Sequence, residues 1–161
     1  MPEGFRDGEI QGVVVRKLTR SVDSRGWLTE IFRKDELADE FFPAMGYISS
    51  TNPGVTRGPH EHVDQADLFC FIGPSNFKLR MWDNREHSET FRCVSTIVVG
   101  QDNPASVLVP AGVVHAYQNV GDLEGIVINC PNRLYRGAGR KEEVDEIRHE
   151  IDNQTRFRME D

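Results

Sequence analysis

The chain has 161 residues, of which 38% are hydrophobic and 28% are charged, and its formal net charge is −7 at pH 7. This length suits one domain with a sizeable core, so we predict a single domain over residues 1–161. The acidic balance disfavours general binding to nucleic acid, which depends on Lys and Arg. No apolar run approaches the roughly 20 residues that span a bilayer, and the N-terminus lacks the regions of a signal peptide. We therefore expect a cytoplasmic protein that binds neither nucleic acid nor membrane.

The apolar segments, taken in chain order, are short and are separated by residues typical of turns. They predict strands at 12–18, 27–32, 47–51, 68–72, 77–82, 91–99, 106–109, 115–120 and 125–129. In the strand at 77–82, the apolar residues alternate with Lys78 and Arg80, which is the period of a strand with one solvated face. Many short strands at this spacing indicate an all-β sandwich or barrel.

Two stretches have a helical pattern instead. Residues 34–42 form the first, and residues 141–151 form the second. In the second stretch Val144, Ile147 and Ile151 share one helical face, which predicts a helix packed outside the barrel.

The three cysteines, Cys70, Cys93 and Cys130, are widely spaced and contain no CxxC pair. An odd number without that spacing favours neither a disulfide framework nor a zinc site. We expect three buried thiols.

Two histidine-containing patterns make the barrel more specific. The first is the segment GVTRGPHEH followed by Asp67, and the second is PAGVVH, which ends at His115. Together they resemble the two signature motifs of the cupin superfamily, with Asp67 where a glutamate is usual. The resemblance implies a cupin double-stranded β-helix, a jelly-roll barrel, with a few short flanking helices.

Three of the five histidines are candidates for function. His60 and His62 are two residues apart on one strand, so they point to the same face, and a turn delivers His115 from another strand. Buried ionisable rings are costly unless they are paired, bound to metal or kept near their usual pKa of about 6.5. We therefore assign a function to this trio and none to His87 and His149, which lie among charged residues.

Two kinds of chemistry suit the trio. In the first, His60, His62 and His115 join Asp67 to hold a first-row divalent metal through three nitrogens and one oxygen. In the second, one histidine acts as a general base without metal. These four residues alone leave both open.

Two arginine-containing blocks point to the second chemistry. Residues 23–32 read DSRGWLTEIF and residues 54–60 read GVTRGPH. They resemble the DxRGxFxExF and GxxRGLH blocks of the dTDP-4-dehydrorhamnose 3,5-epimerase family, and the likeness covers about residues 11–135. The resemblance implies an isomerase, a nucleotide-sugar epimerase that acts on a nucleoside diphosphate-linked 4-keto-6-deoxyhexose in carbohydrate or polysaccharide biosynthesis.

The resemblance also implies roles for individual residues. Arg25 and Arg57 hold the diphosphate, Glu30 contacts the base, and His60 is the general base. Guanidinium groups suit phosphate because they offer paired donors, and the alternative is that Arg25 caps a turn and Arg57 forms a surface ion pair. Tyr135 is the candidate that returns the proton.

We expect His62, Gln65 and His115 to surround the sugar and to stabilise an enolate oxygen by hydrogen bonds. No cofactor is needed in this scheme, and a divalent metal is the alternative. The resemblance further implies a homodimer in which N-terminal strands extend the sheet of the partner. The segment GVVVRKL suits this role because it is an exposed edge.

Several positions depart from the family pattern. The histidine block reads RGPHEH where the family has RGLHxQ, Asp67 stands where the family has a lysine, and Leu28 replaces a phenylalanine. The late aspartate that partners the family's catalytic histidine has no clear counterpart, and Asp145 and Asp152 are poor candidates. Two alternatives stay open for this reason. One is a metal-dependent cupin enzyme that uses the three-histidine site, and the other is a sugar-binding cupin without catalysis.

Overall fold

The computed structural model of the protein describes residues 4–160, which form an almost entirely β structure. The strands are β1 (Arg6–Asp7), β2 (Val14–Lys17), β3 (Ser21–Asp23), β4 (Gly26–Leu28), β5 (Tyr47–Thr51), β6 (Thr56–Glu61), β7 (Asp67–Phe71), β8 (Asn76–Asp83), β9 (Cys93–Gly100), β10 (Ala105–Val109), β11 (Val113–Asn119), β12 (Gly125–Asn129) and β13 (Ile147–Arg148). Short 3₁₀ helices occupy Lys34–Glu36, Ala138–Arg140 and His149–Ile151.

Two sheets form the barrel. Sheet 1 has the strand order β1-β9-β8-β11-β6-β13, and sheet 2 has the order β2-β10-β7-β12-β5. Strands β3 and β4 form a separate hairpin. Inward side chains of β8 and β11 from sheet 1 pack in one core cluster with those of β7, β10 and β12 from sheet 2. This architecture confirms the predicted all-β barrel.

The alternation along the strands decides where the barrel is apolar and where it is polar. Phe77, Leu79 and Met81 of β8 are fully buried, while Lys78 and Arg80 are partly exposed, as predicted. Inward positions on other strands change from apolar to polar toward one end. On β7 they run from the buried phenylalanines to Asp67, on β11 they include His115, and on β12 they end at Asn129. The candidate site therefore lies at this polar end of the barrel.

Neither predicted helix forms. Within residues 34–42 only Lys34–Glu36 is helical, and apolar side chains around it cover Leu68 and Cys130 on the outside of sheet 2. Within residues 141–151, Ile147–Arg148 is a strand antiparallel to β6, where it satisfies backbone groups at the edge of sheet 1. Val144, Ile147 and Ile151 stay 42%, 44% and 77% exposed, so they do not pack against the barrel as the predicted helical face would have done.

All three cysteines are free and buried, which confirms the prediction for them. In residues 4–160, no helix has both the length and the apolar character needed to cross a bilayer. Strand β2, within GVVVRKL, pairs with β10 of its own chain and is the terminal strand of sheet 2, so it is an edge strand as predicted.

Candidate active site

Three imidazoles meet at the polar end of the barrel, two from adjacent strands and one, that of His62, from the residue that follows β6. His60 on β6 is the register partner of His115 on β11, and their ring centroids are 4.5 Å apart. The ring of His62 lies 5.9 Å from that of His60 and 6.1 Å from that of His115. One nitrogen of each ring lies within 4.8 Å of the other two. The structure therefore brings together the predicted trio.

Asp67 reaches this cluster from sheet 2. Its Oδ2 is 3.1 Å from Nε2 of His62 and 3.5 Å from Nε2 of His115. Its Oδ1 accepts hydrogen bonds from the amides of Gln65 and Asn129, each at 2.9 Å. Burial would raise the pKa of Asp67, but the hydrogen bond from His62 and the nearby histidines outweigh burial and lower it to about 2. The side chain is therefore a buried carboxylate.

His62 is the cationic member of the trio. Burial would lower its pKa, but the hydrogen bond and the charge of Asp67 raise it to about 9. Its Nδ1 also hydrogen-bonds to the backbone carbonyl of Asp145. An imidazolium can donate from both nitrogens, and both acceptors are present here. At neutral pH His62 and Asp67 thus form a buried ion pair.

His60 has the opposite character. Burial lowers its pKa to about 2, and the positive charge of His62 acts in the same direction. A neutral ring with a free lone pair is the form that a general base requires. The Nδ1 of His60 lies 3.8 Å from Oε1 of Glu146, which can stabilise the ring once it takes a proton.

His115 is the most deeply buried of the three, with 1% of its surface exposed. Its Nδ1 bonds to the carbonyl of Val113 at 3.0 Å, which makes Nε2 the acceptor. Among the residues that the structure describes, Nε2 has no hydrogen-bond partner. Burial lowers the pKa of His115, so the ring is neutral.

The three histidines also fit a metal ion. Three imidazole nitrogens within 4.8 Å of one another, together with Asp67, provide the donors that first-row metals prefer. Backbone carbonyls hold the Nδ1 atoms of His62 and His115, as is usual for metal-binding histidines. A metal here would have to displace the proton that His62 shares with Asp67. Of the candidate ligands, His60, His62 and His115 are thus close enough together to act as one set, and Asp67 contacts two of them.

A cavity of about 1190 Å³ opens beside the cluster, and His60, His62 and Gln65 line it. Arg57 lines it as well, donating from Nε to Oγ1 of Thr51 at 2.9 Å and from Nη2 to the carbonyl of Ser50 at 2.6 Å. Both acceptors are uncharged, so neither bond pairs the guanidinium of Arg57 with a carboxylate. His115 lies behind the wall of the cavity.

The structure does not bring Arg25 or Glu30 to the cavity of the same chain. Arg25 lies in the turn of the β3–β4 hairpin, where its exposed guanidinium pairs with Asp23 at 2.6 Å. Glu30 pairs with Arg33 at 3.4 Å. The physical reason is that the hairpin joins neither sheet of the barrel.

Tyr135 lines the cavity from the loop that follows β12 and is 55% exposed. The residues of the cavity wall that the sequence reasoning missed include Tyr47, Tyr117 and Glu146. The two tyrosines lie on predicted strands, so their alternation with outward residues could have found them. Glu146 lay in the segment that was expected to be helical, where no pattern related it to His60.

Residues 145–149 attach this segment to β6 and to the loop that follows it. The carboxylate of Asp145 accepts hydrogen bonds from the backbone N–H groups of residues 63, 64 and 65 at 2.8, 3.0 and 2.7 Å. His149, for which no role was expected, lies 2.8 Å from Oε1 of the buried Glu61. These contacts fix Asp145 beside His62 and Glu146 beside His60.

Comparisons with known proteins identify relatives of this chain. A family model described as dTDP-4-dehydrorhamnose 3,5-epimerase matches residues 7–153. The probable low-salt glycan biosynthesis epimerase Agl13 of Haloferax volcanii is 35% identical over 127 residues, covering 78% of this chain and 81% of the relative. The spore coat polysaccharide biosynthesis protein SpsL of Bacillus subtilis is 33% identical over 146 residues, covering 91% and 93%.

A solved structure supports the fold independently. The dTDP sugar isomerase from Desulfovibrio desulfuricans G20 superimposes with a TM-score of 0.75 at 21% identity, covering 86% of this chain and 84% of that one. At this identity the likeness bears on the fold, and it confirms the cupin double-stranded β-helix. The family model and the Haloferax relative favour an epimerase over the metal-dependent alternative.

Proposed function

The chain belongs to the dTDP-4-dehydrorhamnose 3,5-epimerase family and is a sugar-nucleotide epimerase, and from this premise we propose that His60 is the base that abstracts the proton. One observation carries this proposal. His60 is a neutral imidazole at the wall of the cavity, and its Nδ1 lies 3.8 Å from the carboxylate of Glu146. The substrate is a dTDP-linked 4-keto sugar.

The proposed reaction begins at the carbon next to the keto group, whose C–H bond the ketone acidifies. His60 removes this proton, which leaves an enolate and an imidazolium. Glu146 stabilises the imidazolium and takes the place of the family's late aspartate. The positive charge of His62 and the amide of Gln65 stabilise the enolate oxygen. Protonation of the opposite face then inverts the centre.

The scheme uses no cofactor, because the keto group of the substrate itself stabilises the carbanion. If a first-row metal were held by the three histidines and Asp67, it would polarise the keto oxygen as a Lewis acid. Elemental analysis of the purified protein distinguishes the two schemes. Stoichiometric metal that is lost in His62→Ala would contradict the scheme without a cofactor.

We propose that the protein is a homodimer in which each copy completes the site of the other. The hairpin that carries Arg25 exposes Val22, Trp27 and Leu28 by 76%, 52% and 66%, and such apolar surface is typical of an interface. Seated on a second copy, the hairpin would add the charge of Arg25 to that of Arg57 at the diphosphate. Three free thiols suit the reducing cytoplasm, where we place the protein.

Hydrogen exchange tests the proposed function. The protein is incubated with dTDP-4-keto-6-deoxyglucose in deuterated water, and label at the carbons next to the ketone is measured by NMR. We expect uptake by the wild type and a loss of at least about 100-fold in His60→Ala, because general bases contribute this much. His87→Ala is the matched control. Absence of uptake by the wild type across several dTDP-4-keto sugars would exclude the proposal.

A further inference from the structure

Tyr47 has a hydroxyl group whose own proton is uncommitted. Its oxygen accepts a hydrogen bond from Nδ2 of Asn129 at 2.9 Å. The same amide nitrogen donates to Oδ1 of Asp67 at 2.9 Å. A reversed amide would place the carbonyl oxygen of Asn129 against the carboxylate, so the orientation is fixed by repulsion. Because the oxygen of Tyr47 is the acceptor, its hydrogen points away from Asn129 and is free to donate.

The surroundings keep this hydroxyl protonated. Asn129 and Asp67 are each only 1% exposed, so the phenol oxygen lies next to buried groups. Burial raises the pKa of Tyr47 to about 12, and the hydrogen bond from Asn129 opposes this effect only in part. The nearby negative charge of Asp67 acts in the same direction as burial. Tyr47 can therefore give a proton at neutral pH and does not compete as a base.

Tyr47 and His60 lie on different sheets of the barrel. Tyr47 is the first residue of β5 in sheet 2, whereas His60 is on β6 in sheet 1. Both side chains line the same cavity. A sugar ring held between them would have the base on one face and the phenol on the other. Inversion of a carbon centre requires this arrangement, because the proton leaves from one face and returns to the opposite one.

The other two tyrosines of the cavity are less suitable. Tyr117 lies on β11, in the same sheet as His60, is 4% exposed, and has its hydroxyl 3.1 Å from Oγ of Ser49. Tyr135 lies on a loop and is 55% exposed, close to the 46% of Tyr47, but within residues 4–160 its hydroxyl has no hydrogen bond that would fix its direction. Only Tyr47 combines a fixed hydroxyl with the sheet opposite the base.

We infer that Tyr47 is a further catalytic residue of the epimerase, the acid that delivers a proton to the enolate from the face opposite His60, an inference that rests on the proposed function. The C–H electron pair moves into the enolate as His60 takes the proton. The enolate carbon then takes the hydroxyl proton of Tyr47, which restores the ketone and leaves a tyrosinate. Proton transfer from the imidazolium of His60 to the tyrosinate through solvent regenerates both groups.

The test separates the removal of the proton from its return. Tyr47→Phe, Tyr135→Phe and Tyr117→Phe are each compared with wild type in deuterated water, with label uptake and formation of the epimer measured in the same NMR experiment. In Tyr47→Phe we expect uptake within a few-fold of wild type with retained configuration, while inversion falls by about 100-fold or more. The inference is overturned if inversion falls only in Tyr135→Phe. It is also overturned if Tyr47→Phe inverts the centre at the wild-type rate.

Two controls keep the outcome interpretable. Absence of both uptake and inversion in the wild type would refute the proposed function, whereas loss of inversion in every tyrosine variant would refute only the assignment to Tyr47. If Tyr47→Phe does not fold, incorporation of a fluorotyrosine at position 47 keeps the shape and lowers the phenol pKa. The ratio of inversion to exchange is then expected to change, and an unchanged ratio counts against Tyr47.

Discussion

The Nδ1 of His60 lies 3.8 Å from Oε1 of Glu146, a residue 86 positions later in the chain. The contact exists because β13 pairs with β6 in the register that places Arg148 opposite His60. The guanidinium of Arg148 also lies 3.5 Å from the second oxygen of Glu146. The base and its carboxylate partner are thus joined by a strand pairing at the edge of the barrel.

Glu146→Gln should reduce turnover without weakening substrate binding. The amide cannot stabilise the imidazolium that forms only after proton abstraction, so we expect kcat to fall by about 10-fold to 100-fold with KM nearly unchanged. Steady-state kinetics measure the two constants separately. Glu143→Gln, a change of the same kind three residues earlier, is the control. A rise in KM with unchanged kcat would contradict this role.

The low pKa of His60 has a consequence for the pH dependence. A base whose pKa lies near 2 is already neutral at pH 5, so kcat/KM should not rise through pH 6 to 7 as it would for an ordinary histidine. The profile is measured between pH 5 and pH 8 with one dTDP-4-keto sugar. An ascending limb near pH 6.5 that persists in His87→Ala would show that His60 is not buried as described.

How much of this site could be predicted depends on which interactions are local. Alternation on one strand predicted the buried side of β8, and the spacing of His60 and His62 predicted that they share a face. The spacing of Val144, Ile147 and Ile151 also fits a helix, yet the unpaired edge of β6 holds this segment as a strand. Whether this segment forms a helix or a strand is decided by its tertiary contacts, so it could not be predicted from the sequence of the segment alone. Glu146 was missed for the same reason.

The buried pair of His62 and Asp67 should stabilise the fold within a limited pH window. The pKa of His62 is raised to about 9, so its contribution is complete below about pH 6.5 and is lost as the pH rises through about 9. The pKa of Asp67 is lowered to about 2, so its contribution is present above about pH 4 and is lost as the pH falls toward 2.

Thermal unfolding of wild type and Asp67→Asn measures this window. We expect wild type to have a higher Tm than Asp67→Asn between about pH 4 and pH 9. Above that range the difference in Tm between the two proteins should shrink. The NMR titration of His62 should also move to lower pH in the variant, because burial then acts on the ring without the carboxylate. Asp122→Asn, in an exposed turn, should change neither quantity. A difference in Tm that is constant with pH would exclude the ion pair as its source.

If two copies exchange the β3–β4 hairpin, two inactive variants should regain activity when they are combined in one dimer. Arg25→Ala lacks the diphosphate contact and His60→Ala lacks the base, so each homodimer is expected to be inactive. If Arg25 acts on the cavity of the partner, a heterodimer of the two variants contains one site with both residues intact. After unfolding and refolding an equal mixture, random pairing should restore about a quarter of the wild-type activity. A mixture as inactive as its components, although size exclusion shows dimers, would mean that Arg25 does not act on the cavity of the partner.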